Sequence, residues 1–70
     1  MAKEARGKYR PPQKTKKHAE AFDAAFEGAL AEASRTLGPG KHQVQVRYEA
    51  ELEVTNPGHV GEYRVFLYFE

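Results

Sequence analysis

From Gln43 to Val54 polar and apolar residues alternate without a break, with Val44, Val46, Tyr48, Ala50, Leu52 and Val54 on one side and Gln43, Gln45, Arg47, Glu49, Glu51 and Glu53 on the other. Successive side chains of a strand point to opposite faces, so the run predicts one long strand with a single buried face. A helix would spread the same apolar set around its whole circumference. Asn56-Pro57-Gly58 then provides turn chemistry, and a second alternation follows, Tyr63, Val65, Leu67 and Phe69 against Glu62, Arg64, Phe66, Tyr68 and Glu70. Two such runs joined by a short turn predict an antiparallel hairpin.

Upstream, the periodicity is helical. Between Lys16 and Leu37 the residues Ala19, Phe22, Phe26, Ala29, Leu30, Ala33 and Leu37 recur at steps of three and four, and the opposite side carries Glu20, Asp23, Glu27, Glu32 and Arg35. Thr15 is the expected N-cap, and Gly38-Pro39-Gly40 ends the helix, because proline cannot continue it. The expected fold is therefore α+β, one amphipathic helix packed on an antiparallel hairpin across residues 16–70. Phe22, Phe26, Leu30, Val46, Leu52, Val65 and Leu67 form the expected core.

The first fifteen residues read differently. Up to His18 the chain has seven Lys/Arg against one Glu, whereas four Lys/Arg face nine Asp/Glu in the rest. With Pro11-Pro12 in tandem and almost nothing apolar besides Tyr9, residues 1–15 are expected to be a basic, disordered tail. A charged start with no apolar stretch behind it suits neither a signal peptide nor a membrane span, which points to the cytoplasm and to no membrane partner.

Seventy residues bury only about 60% of the unfolded surface, so a chain this short ordinarily needs disulfides, a metal or a partner. There is no cysteine, and His18, His42 and His59 lack the close pairing of a zinc site, so no metal is expected. Two strands alone also leave both sheet edges open and set Phe66 and Tyr68 beside a row of glutamates. Association with identical copies is the expected way to complete the sheet.

Two stretches, Ala25 to Leu37 and Glu62 to Glu70, resemble the dodecins, small flavin-binding proteins that assemble as hollow twelve-subunit shells from a strand, a helix and two further strands. The resemblance covers residues 16–70 and implies a homo-oligomer, up to a dodecamer, with a binding or storage role. Where that family has a tryptophan stacked on flavin this chain has His42, and where it has a flavin-contacting glutamine it has Arg64. The cofactor thus stays open between flavin and another anionic small molecule.

Candidate site residues follow from chemistry. Arg64 lies among Glu49, Glu51, Glu53 and Glu62, where it can serve as a cross-strand ion pair or an anion ligand. His42 can stack on a planar ligand or cap helix carbonyls, while Phe66 and Tyr68 can stack on a ring or fill an interface. Lys3, Arg6, Lys8, Arg10, Lys14, Lys16 and Lys17 are the residues a sequence-blind nucleic-acid contact would use, which gives a second functional class. A purely structural assembly module is the third. No nucleophile with a paired base and no phosphate loop is present, so no enzyme is expected.

Overall fold

The computed structural model describes residues 3–11, 17–55 and 59–70. Four elements follow one another along the chain: strand β1 (Lys3–Tyr9), helix α1 (His18–Leu37), strand β2 (Val46–Thr55) and strand β3 (His59–Phe69). The strands form one open antiparallel sheet in the order β1-β3-β2. The expected α+β class and the β2-β3 hairpin are both present, with Val46 opposite Phe69 and Thr55 opposite His59. Thr15 and the hairpin tip lie outside the described residues.

The expected two-stranded sheet and disordered tail are corrected at residues 3–9. These pair along the free edge of β3, Ala5 opposite Leu67, Gly7 opposite Val65 and Tyr9 opposite Tyr63. β1 alternates after all, but its inward members Ala5 and Gly7 are small, and the larger Tyr9 comes only at its end, half-buried against the core. Ala5 is completely buried, and Gly7 lies so close to α1 that a Cβ there would meet the Ala25 carbonyl oxygen at 1.9 Å and the Ala29 nitrogen at 2.4 Å. A segment whose one large apolar residue is Tyr9 is thereby ordered by backbone packing and strand pairing.

α1 begins two residues later than expected and ends at Leu37, where the Gly38 N–H donates to the Ser34 carbonyl and Gly38 takes φ +81°. Its sheet-facing residues are Ala21, Ala25, Ala29 and Ala33, a row at steps of four. That corrects the expected core. Small side chains let the helix axis lie directly over β1 and β3, and the larger Phe22, Phe26 and Leu30 are turned to the flank. Phe22 meets the Tyr63 ring edge-on at 5.1 Å, Phe26 stacks on Tyr48 at 6.0 Å, and Leu30 remains 47% exposed.

Val65 and Leu67 are buried as expected, with Tyr63 and Phe69 beside them. Val46 and Leu52 are not, because α1 reaches β2 only through the Phe26 ring on Tyr48, and every residue of that strand is exposed in the isolated subunit. No helix is long and apolar enough to cross a membrane among the described residues.

Candidate functional site

The face of the sheet turned away from α1 carries the charged residues, and the register fixes their order. Reading across the three strands, Glu4, Tyr68 and Arg47 form one rung, Arg6, Phe66 and Glu49 the next, and Lys8, Arg64 and Glu51 the third. One residue past β1, Arg10 reaches Glu62 at 2.9 Å, and Glu53 lies opposite Glu62 on the other side. Period-two alternation in all three strands puts these side chains on one surface.

Arg64 is the hub of that surface. Its guanidinium holds Glu51 at 2.6 Å and Glu53 at 3.2 Å and also contacts Glu62, whose side chain is only 6% exposed. The hydrogen bond from Arg10 outweighs burial and, with the nearby Arg64 charge, keeps the Glu62 carboxyl below the usual carboxylate range. Partial burial opposes the charge on Arg64, yet the bonds from Glu51 and Glu62 prevail and raise its pKa. Among the described residues no buried side-chain nitrogen or oxygen lacks a partner.

The aromatic candidates have their own covers. The Arg6 guanidinium lies 5.9 Å from the Phe66 ring centroid and that of Arg47 4.6 Å from the Tyr68 centroid, both within cation–π range. Burial, followed by the charge of Glu49, pushes the Tyr68 phenol up. Arg64, Phe66 and Tyr68 thus form a continuous column along β3. His42 belongs to the end of α1, where its Nε2 lies 3.2 Å from the Gly38 carbonyl and 3.3 Å from that of Pro39.

No family model, curated protein or solved structure matches the chain.

The seven basic residues are dispersed. Lys3, Arg6 and Lys8 are on β1, Arg10 bonds Glu62, Lys17 stands at the start of α1, and Lys14 and Lys16 lie outside the described residues. Arg6 is held by Glu4 at 3.0 Å, so two of the arginines are already neutralised within the subunit. Two residues of the open face, Glu4 and Arg47, gained meaning only from the register, in which Glu49 pairs with Arg47 and Arg10 with Glu62. The available sequence signal was the alternation of Glu4, Arg6 and Lys8 with Ala5, Gly7 and Tyr9, hidden because two of its three inward members are so small.

A second feature lies on the helix side. Phe26, Leu30, Leu37, Val44, Val46 and Tyr48 line an apolar groove of about 310 Å³ between the C-terminal half of α1 and β2. Val46, Tyr48, Leu52 and Val54 are 44%, 47%, 42% and 55% exposed, an unbroken apolar strip along an edge strand.

Proposed function

We propose that this chain is a self-assembling subunit of the dodecin-like kind, whose function is exercised as a homo-oligomer. The observation that carries the proposal is the uncovered helix-side strip of β2, Val46, Tyr48, Leu52 and Val54. A β-strand ordinarily alternates so as to bury one face, yet here most of that face meets water and, among the described residues, its outer backbone edge has no neighbour in the sheet. A second copy covers both at once. The order strand, helix, strand, strand agrees with the resemblance seen in the sequence.

The ligand half of the resemblance has less support. His42, Arg64, Phe66 and Tyr68 each have a partner inside the subunit, and His42 is at the helix end while the other three share β3. Assembly therefore accounts for more of the surface than small-molecule capture does.

The test is the mass in solution by light scattering. The wild-type chain is expected to be oligomeric at micromolar concentration. Leu52→Glu and Val54→Glu, each placing a carboxylate on the strip, are expected to weaken association by about tenfold to a hundredfold while leaving the far-ultraviolet circular dichroism of the subunit in place. Both side chains project from the folded subunit, so a drop in mass with retained secondary structure reports the interface. A wild-type chain that is monomeric and folded at high concentration excludes the proposal.

A further inference from the structure

The open face is self-complementary, and we infer that it is a second interface, a two-fold contact between two copies of this chain with their strands running in the same direction. This inference rests on the self-assembly reading and adds the face, the symmetry and the residue pairing.

Two sheets laid face to face can be related by a two-fold axis either along the strands or across them. An axis along the strands exchanges left and right, so that β1 of one copy lies over β2 of the other. Residues on one rung then meet residues on the same rung. The rungs give Glu4 against the partner's Arg47, Arg6 against its Glu49 and Lys8 against its Glu51, with Arg10 directed at its Glu53. All four juxtapositions are of opposite sign, and the symmetry repeats each of them. The axis across the strands would instead set β1 on β1 and β2 on β2 in opposite directions, so that Glu4 still meets Lys8 and Arg47 still meets Glu51, but Arg6 meets Arg6 and Glu49 meets Glu49. Only the axis along the strands makes every juxtaposition attractive, so the charge pattern favours that arrangement.

The centre of the same face is suited to burial. Phe66 and Tyr68 lie along β3, on the axis, and form the apolar middle of a surface whose charged rows are at the two sheet edges. That is the anatomy of a specific interface, aromatic and arginine residues inside and a hydrated charged rim outside. Arg64, which also falls near the axis, meets its own copy with its charge already offset by Glu51, Glu53 and Glu62. Aligned sheets pack about 10 Å apart with strands crossing at about 30°, a spacing that long Arg, Lys and Glu side chains span.

A charge exchange tests the pairing while keeping an ion pair at each position inside the subunit. Glu4 already bonds Arg6 at 3.0 Å and Arg47 bonds Glu49 at 3.4 Å, so each pair can be swapped in place. One variant combines Glu4→Arg with Arg6→Glu, the other Arg47→Glu with Glu49→Arg. Each alone sets like charges across the two-fold contact and is expected to weaken it by about tenfold or more, lowering the mass in light scattering to the species joined through the β2 strip. Mixing the two variants restores opposite charges on both sides of the axis, and the wild-type mass is expected to return. Leu52→Glu removes the other interface and is expected to leave dimers, whose dissociation rises with salt because the rim is charged. An oligomer whose mass ignores both swaps overturns this pairing while leaving the β2 interface intact. A wild-type monomer overturns both readings.

Discussion

Gly7→Ala is expected to unfold most of the subunit, and Gly28→Ala to leave it intact or firmer, although both replace a glycine with the same methyl group at the same β1-α1 contact. At Gly7 the added carbon would sit 1.9 Å from the Ala25 carbonyl oxygen, 2.4 Å from the Ala29 nitrogen and 3.0 Å from the Gly28 carbonyl carbon. All three are helix backbone, so no side chain can swing aside and the helix must lift off the strand. Overpacking ordinarily costs about 1–3 kcal/mol, and a clash with backbone belongs at or above the top of that range. A core of this size supplies only about 3–5 kcal/mol, so little stability remains. At Gly28 the nearest atom is the Gly7 Cα at 3.5 Å, an ordinary contact. Alanine there gains about 1 kcal/mol of helix propensity, or about 4–8 °C in melting temperature. Thermal melts followed by circular dichroism distinguish the two. A Gly7→Ala chain that melts with the wild type would mean that residues 3–9 are not held beneath α1.

The same contact explains what the sequence did and did not disclose. The hairpin was legible because Tyr63, Val65, Leu67 and Phe69 are large and alternate with polar residues, and α1 because its apolar steps are helical. β1 was not, since a hydropathy pattern registers large apolar side chains and this strand is matched to its helix by small ones, Ala5 and Gly7. The helix face was misjudged for the same reason. Phe22, Phe26 and Leu30 carry the stronger hydropathy signal, but a helix lying close to a strand backbone needs its alanine row, Ala21, Ala25, Ala29 and Ala33, at the contact. With the phenylalanines displaced to the flank, only Phe26 reaches β2, and the strand stays exposed along its length. Arg64 and its glutamates could be placed on one face from alternation alone. The contribution of Arg10 and the opposed signs of β1 and β2 required the register with β3 between them.

The charged cluster should appear in the pH dependence of stability. The Glu62 pKa is depressed in the folded chain, chiefly by the Arg10 hydrogen bond, so its contribution is fully present above the ordinary carboxylate value of about 4.3 and is lost as pH falls through the folded value. Arg10→Gln removes that bond, and the Glu62 titration midpoint, followed by NMR of its side-chain carbonyl, is expected to move up. Arg64→Met keeps the aliphatic bulk and removes the cation that Glu51, Glu53 and Glu62 share. Near neutral pH the three carboxylates then repel one another, and the variant's melting temperature should fall furthest below wild type. As pH drops through the carboxylate range, the partners lose the charge that Arg64 neutralises, so the deficit should narrow. Melting curves of the two proteins between about pH 3 and 7 decide the matter. A variant that melts with the wild type at every pH would mean that Arg64 acts through packing of its stem alone, and that the open face owes nothing of its stability to the ion-pair cluster at its centre.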